Sequence, residues 1–217
     1  MKYGVVMAGL CGVLGVSTVA LAQEVPRARV GFQMDIRTGY SVPMGDLQKG
    51  SKVSDYVTGQ VPVFVDIGGK VIPELFIGGY FGLAFGGVAG NNKAFCDQAN
   101  ASCLALTLHL GVEAQYHIIP GGSVNPWVGY GLGIESLATS AQVGNISNNS
   151  SAAGFEFARL MGGVDFRISR AFGIGPFVDL SVARFSSAHD DRIGDFDIPE
   201  KATHEWLTLG VRAVIFP

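Results

Sequence analysis

Apolar and polar residues alternate with a period of two in eight separate segments of this chain. In the clearest segment, residues 104–118, the even-numbered positions are Leu, Leu, Leu, Leu, Val, Ala, Tyr and Ile, while the odd-numbered positions are small or polar. A β-strand places successive side chains on opposite faces, whereas a helix of 3.6 residues per turn would mix the two sets. The alternation therefore predicts β-strands.

The connections between the eight segments alternate in length. The segments cover residues 30–40, 61–67, 75–85, 104–118, 127–135, 158–168, 174–182 and 207–215. Long polar connections span residues 43–59, 86–103, 139–153 and 187–202, and short ones span residues 68–72, 120–125 and 169–171. Short turns at one end and long loops at the other are typical of transmembrane barrels. The pattern predicts an all-β fold, an eight-stranded antiparallel up-and-down transmembrane β-barrel with short periplasmic turns and long extracellular loops.

The composition agrees with a membrane protein, and the glycines distinguish a β-barrel from a helical membrane protein. Charged residues make up 15% of the chain, against about 25% in soluble domains. A helical membrane protein is the main competing interpretation, because residues 75–92 carry no charge. That stretch has alternating faces and six glycines, which argue against a helix. Small inward glycines at 129, 131 and 133 would instead leave space for Trp127, Phe177 and Tyr80 inside a narrow barrel.

The ionisable residues of the strands share one face. A basic side chain on the lipid face of a barrel costs roughly 2–4 kcal/mol at the bilayer midplane, so these groups are expected to face the lumen. Buried charges need partners, and a network of ion pairs and hydrogen bonds inside the barrel follows. Its predicted members are Asp35, Arg37, Asp66, Glu74, Glu113, Glu135, Arg159, Asp165, Arg167, Asp179 and Arg212.

The N-terminus resembles a secretory signal peptide. Lys2 precedes an apolar stretch at residues 5–21, and Ala20-Leu21-Ala22 forms a small-x-small cleavage site. The alternative is a transmembrane anchor. We expect residues 1–22 to be a cleaved signal peptide and residues 23–217 to be the outer-membrane β-barrel domain.

Two cysteines, Cys96 and Cys103, remain after cleavage. An exported chain meets an oxidising compartment, so their short spacing predicts a disulfide. A metal pair is the alternative. It would need further ligands, and among the residues between the two cysteines only Asp97 offers one.

With these features the chain resembles the small outer-membrane β-barrel families of Gram-negative bacteria, namely the OmpA transmembrane domain, OmpX and OmpW types. Thr208-x-Gly210 followed by Val211, Ala213 and Ile215 is similar to the C-terminal signal of such barrels, although Pro217 stands where an outward terminal Phe is usual. The resemblance implies the bacterial outer membrane as location. It implies outer-membrane lipids, lipopolysaccharide and the barrel-assembly machinery as partners.

Three functions stay open on the sequence. The favoured one is a non-enzymatic structural or surface-interaction role through the extracellular loops, because eight strands leave little room for a channel. The first alternative is a narrow porin-like channel or transporter for small or hydrophobic solutes, including a proton-responsive path through His109 and His117. The second is a lipid A-modifying enzyme, although Arg184 stands at the histidine position of the His-x-Ser motif and arginine is not a base.

The remaining expectations concern ligands and partners. His189 with Asp190 and Asp191 offers a substitute dyad for catalysis, but no catalytic residue, cofactor or protein-bound metal is expected. The acidic residues of the segment 187–202 are expected to share divalent cations with lipopolysaccharide; a calcium-dependent contact with a surface partner is the alternative. A net charge of −3 without clustered Lys and Arg gives no support for nucleic-acid binding.

Overall fold

The computed structural model describes residues 29–89, 96–97, 101–143, 146–191 and 193–217. These residues form one short 3₁₀ helix (Val53–Asp55) and ten strands. The strands are β1 (Gly31–Gln48), β2 (Ser51–Lys52), β3 (Val57–Ile72), β4 (Leu75–Val88), β5 (Ala101–His117), β6 (Val124–Val143), β7 (Ile146–Arg167), β8 (Phe172–Asp190), β9 (Gly194–Asp197) and β10 (His204–Ile215). Within these ranges, no helix has the length and apolar character needed to cross a membrane.

Eight long strands close into a barrel. Each of β1, β3, β4, β5, β6, β7 and β8 pairs antiparallel with the next of the set, and β10 pairs with both β8 and β1. Ala213 of β10, for example, lies opposite Ile174 on one side and Ile36 on the other. Closure leaves the barrel wall without free edges, and the predicted all-β, antiparallel, up-and-down fold of eight strands is confirmed.

The two faces of the wall differ in polarity, as the alternation requires. Large apolar side chains point outward and are exposed, among them Phe32, Val112 and Leu209, with 61%, 59% and 61% of their surface accessible. Charged and amide side chains of the same strands are buried inside. The alternation continues to the C-terminus, where Ile215 is exposed and Phe216 is buried, so the strand phase does not slip at the terminal residues.

Glycines give Tyr80 its place inside the barrel. A Cβ added at Gly111 would lie 2.5 Å from the Tyr80 hydroxyl, and one added at Gly133 would lie 2.6 Å from it. Tyr80, Trp127 and Phe177 are all buried in the interior. Small residues on the inward face therefore make room for large ones on facing strands.

The predicted long loop at residues 139–153 is wrong. Strands β6 and β7 continue to Val143 and Ile146 and form a tall hairpin, with Ser140 opposite Asn149. Its residues are mostly Ser, Asn and Ala, so no apolar face marks a strand. The backbone ladder does not need such a face where both sides of the hairpin leave the barrel.

The connection between β1 and β3 is likewise shorter than residues 43–59. Strand β1 runs to Gln48, and β2 and the 3₁₀ helix fill most of the rest. The helix places Val53 at the end of the barrel that carries the long connections, which we call the outer end. There it belongs to an apolar group that we call the capping cluster. Its buried members are Val53, Val57, Ala105, Leu137, Ala152, Phe185, Ile198 and Trp206.

The cysteine prediction is confirmed. Cys96 and Cys103 form a disulfide with a Cα–Cα distance of 5.8 Å, and Cys103 lies near the start of β5. The proposed signal peptide, residues 1–22, lies outside the described residues and stays a prediction.

Candidate functional site

The centre of the barrel is filled by a bidentate ion pair. Arg37 of β1 donates from Nε and Nη2 to the two carboxylate oxygens of Asp66 on β3, at 2.6 and 2.9 Å. Its Nη1 donates to Asp179 of β8 at 2.9 Å, and Glu113 lies 3.6 Å from Nη2. These side chains are at most 1% exposed. The paired geometry is the strong form of an arginine–carboxylate contact.

A second arginine extends this network toward the outer end. Arg159 of β7 donates to Glu156 at 2.7 Å and, from Nη1, to the same Asp179 oxygen that Arg37 contacts, at 2.8 Å. His109 Nδ1 lies 2.8 Å from the other Glu156 oxygen. Asp179 thus links two arginines on strands that do not neighbour each other, and the links cross the lumen.

A third arginine occupies the end with the short turns. Arg212 of β10 donates from Nη2 to Asp35 and to Gln115, both at 2.7 Å. Asp165 lies 3.7 Å from its Nη1, and the guanidinium is 4.1 Å from the ring centroid of Trp127. The stacked ring covers a charge that has no access to water.

The structure brings nine of the eleven predicted lumen residues into the buried interior: Asp35, Arg37, Asp66, Glu113, Glu135, Arg159, Asp165, Asp179 and Arg212. The other two depart from the prediction. Glu74 is part-exposed in the turn between β3 and β4, one residue beyond the wall. Arg167 ends β7 and donates to the carbonyls of Arg170 and Pro120, so it braces turns at the rim.

Sequence reasoning missed Glu156, one of the most connected residues of the interior. Glu156 and Arg159 both face inward although they are three residues apart, because the register of β7 shifts between Glu156 and Ala158. Such a β-bulge adds one residue to a strand and resets which side chains point inward. The available signal was an acidic residue between Phe155 and Phe157, which are both exposed on the outer face.

The two histidines of β5 do not belong to one network. His109 contacts Glu156, whereas Nδ1 of His117 lies 2.8 Å from Nδ2 of Asn125 at the short-turn end. Eight residues of strand separate them, about 26 Å at 3.3 Å per residue. The lumen between them is occupied by the arginine pairs described above.

At the outer end, His189 takes a different partner from the one considered for catalysis. Its Nδ1 lies 2.7 Å from Asp195, and Asp191 is 3.7 Å from Nε2, while Asp190 accepts a hydrogen bond from Ser150. His189 is beyond Ala183, where β8 stops pairing with β10, so it lies outside the barrel wall. The hydrogen bond to Asp195 raises the pKa of His189 above its ordinary value.

The Arg184-Phe185-Ser186 segment lacks the features of a nucleophile site. Phe185 is fully buried in the capping cluster. The Ser186 hydroxyl donates to the carbonyl of Ala153 at 3.3 Å. A base beside the hydroxyl is what activates a serine, and the arginine at position 184 does not supply one.

A cleft of about 370 Å³ opens above the capping cluster. Its apolar lining includes Leu47, Tyr56, Leu137 and Ile198, and its polar rim includes His189. This cleft and the acidic residues beside it lie at the outer end of the barrel.

Comparison with known proteins shows similarity at the level of structure. No family model and no curated protein matches the sequence. A major outer membrane protein from Thermus thermophilus is similar over 86% of this chain and 99% of that chain, with 10% identity and a TM-score of 0.51.

Two further solved structures are similar over most of the chain. Neisserial surface protein A matches 85% of this chain and 97% of that chain, at 13% identity and a TM-score of 0.44. Ail, the attachment invasion locus protein of Yersinia pestis, matches 84% and 97%, at 11% identity and 0.45. The likeness to the Thermus protein extends to the fold alone, and this fold is that of a small outer-membrane β-barrel.

Proposed function

We propose that the chain spans a bacterial outer membrane as a closed barrel. The support is the belt of exposed apolar side chains that runs around all eight strands. A soluble protein rarely exposes so large an apolar surface, and a closed barrel satisfies every backbone hydrogen bond within lipid. We propose outer-membrane lipids and lipopolysaccharide as its surroundings, and the barrel-assembly machinery as the partner that inserts it.

Within that membrane we propose a non-enzymatic, non-conducting role, exercised through the outer end of the barrel. The observation that carries this is the filled interior, where Arg37, Arg159 and Arg212 each join carboxylates of other strands. The capping cluster closes one end and Phe216 lies buried at the other. Ions would have to displace both buried ion pairs and packed apolar side chains.

Planar-bilayer recording tests the non-conducting role. The refolded mature chain is expected to give no stepwise conductance in KCl solution, and a known porin run in the same bilayers serves as the positive control. Regular single-channel steps from the wild-type chain would contradict the proposal and favour the narrow channel.

Surface contact is tested separately, through the exposed carboxylates. Asp191, Asp195 and Asp197 are proposed to share divalent cations with lipopolysaccharide phosphates, so changing the three to Asn is expected to weaken binding of lipopolysaccharide vesicles in Mg²⁺. Glu205→Gln, a single carboxylate change elsewhere on the outer half of the wall, is the matched control. Equal binding of the triple variant and the wild type would contradict this contact.

The non-enzymatic part has its own test. Lipid A from cells that express the wild-type chain is expected to have the same acylation pattern as lipid A from cells without it, by mass spectrometry. A change in acyl-chain number that depends on His189 would overturn the proposal.

A further inference from the structure

The barrel interior contains more carboxylates than arginine and lysine side chains. Among the described residues, seven buried carboxylates stand against three buried arginines and Lys70; the acids are Asp35, Asp66, Glu113, Glu135, Glu156, Asp165 and Asp179. Counting the rim residue Arg167 reduces the surplus and does not remove it. Unpaired buried charge is costly. The remaining buried bases are the histidines at positions 109, 117 and 204, and each balances a carboxylate only with an added proton. The interior therefore takes up protons or bound cations beyond its arginines and Lys70.

Three of the buried groups converge in the outer third of the lumen. His109, Glu135 and Glu156 lie on the consecutive strands β5, β6 and β7, and His109 is directly opposite Glu135 in the register. One ligand atom from each of the three lies within 4.8 Å of the others. Their exposed fractions are 3%, 1% and 0%, so the cluster is enclosed by the wall and by the capping cluster above it.

One oxygen of this cluster has no use in the network. Glu135 Oε1 accepts hydrogen bonds from Trp206 Nε1 at 2.9 Å and from His204 Nε2 at 3.1 Å. Glu135 Oε2 is buried and has no hydrogen-bond partner among the described residues. Glu156 is held in place by Arg159 and Tyr80. A carboxylate whose one oxygen is fixed and whose other is unsatisfied is prepared to accept a cation.

We propose that His109, Glu135 and Glu156 bind a divalent transition-metal ion of the zinc type. Imidazole nitrogen selects for this class over Mg²⁺ or Ca²⁺, and three protein ligands with a fourth position open form a known zinc arrangement. Bonds of about 2.0 Å in a tetrahedron place ligand atoms about 3.3 Å apart, so small side-chain rotations close the cluster. The ion supplies positive charge beside Glu135 Oε2, the carboxylate oxygen that has no hydrogen-bond partner among the described residues.

Arg159 sets the form of the site. Its Nη2 lies 3.1 Å from His109 Nδ1, and Glu156 Oε2 lies 2.8 Å from the same nitrogen, so a metal shared with Glu156 binds His109 at Nδ1 and takes the place of the Arg159 contact. The positive charge of Arg159 weakens metal binding, while its hydrogen bonds fix the Glu156 carboxylate. His204 holds Glu135 from behind, in the way that hydrogen-bond partners orient metal ligands.

Metal content of the refolded, chelator-stripped mature chain tests the proposal. After equilibrium dialysis against ZnCl₂ and removal of weakly bound ion, elemental mass spectrometry is expected to find one zinc per chain. Glu135→Gln keeps the shape and one acceptor for Trp206, and it is expected to lose this equivalent. His189→Asn removes the exposed histidine beside Asp191 and Asp195, which is the obvious surface chelator, and is expected to retain it.

Three results would overturn the site: no zinc on the wild-type chain, zinc retained by Glu135→Gln, or zinc lost from His189→Asn. A second measurement does not depend on the folding of Glu135→Gln. The chain has two tryptophans, so Trp127→Phe leaves Trp206 as the only one. Zinc is expected to change the Trp206 emission, and a chelator is expected to restore it; an unchanged emission at saturating zinc also contradicts the site.

Discussion

Arg37 shows how much one residue can matter in a narrow barrel. It holds both oxygens of Asp66, reaches Asp179, and lies 5.0 Å from the centre of the Phe64 ring. Each partner was removed from water together with it. The net stabilisation of the fold by such a network depends on every buried charge having its partner.

Arg37→Met is therefore expected to destabilise the barrel by about 3–5 kcal/mol, because it leaves buried carboxylates without their cation. Urea unfolding in lipid vesicles measures the change. Asp195→Asn, which alters an exposed ion pair, is the control and is expected to change the free energy of unfolding by less than about 1 kcal/mol. Similar effects for the two variants would mean that the lumen pairs are not coupled.

His189 is the residue with a defined pH response outside the barrel wall. Its hydrogen bond to Asp195 raises the pKa of the folded state, whereas an unperturbed histidine titrates near about 6.5. The contact therefore contributes its full stabilisation of the fold below about pH 6.5. This stabilisation is lost as the pH rises through the raised pKa of His189.

An NMR titration of the His189 ring is expected to give a pKa above about 6.5. Asp195→Asn is expected to lower it, because the largest cause of the shift is removed. An identical titration in the two proteins would show that Asp195 is not the partner in solution.

At the scale of the element, the bulge in β7 lets Glu156 and Arg159 both face the lumen although they are three residues apart in the sequence. Glu156 pairs with Ala183 of β8, and Ala158 pairs with Val182, so Phe157 is the extra residue. Without it the strand would alternate regularly and would still point Glu156 and Arg159 inward.

Deletion of Phe157 is accordingly expected to be tolerated. Deletion of Val178, which lies in the regular part of β8 and pairs on both sides, reverses the faces of half a strand and is expected to prevent folding. Refolding yield in vesicles, followed by circular dichroism, compares the two variants. Equal yields would contradict the assignment of Phe157 as the bulge residue.

At the scale of the whole molecule, the stability of the fold depends on the lipid that surrounds it. The exposed belt and the buried charges are both placed against what water would favour, so neither surface is stable in an aqueous monomer. The mature chain, diluted from urea, is expected to form β-structure in detergent micelles or vesicles and to aggregate in plain buffer. A soluble monomer with a helical circular-dichroism spectrum in buffer would contradict the membrane assignment.

The sequence predicted most of the wall because strand phase is a local property. The alternation at residues 104–118 appears in the structure on the two faces of one strand: Leu110 and Val112 are exposed on the outer face, and His109 and Glu113 are buried on the inner face. The prediction from sequence failed where the two faces of a strand do not differ in polarity, as in the hairpin of β6 and β7. It also failed where the period is broken, as at Glu156.

By itself the sequence determined the eight strands, the polarity of the two faces and the disulfide, because each depends on residues close together in the chain. Only the tertiary structure decided which charges meet. Asp179 joins Arg37 to Arg159, and His109 meets Glu135 and Glu156, because ring closure and register bring distant strands together. A period of two states which way a side chain points, and it contains no information about what lies across the lumen.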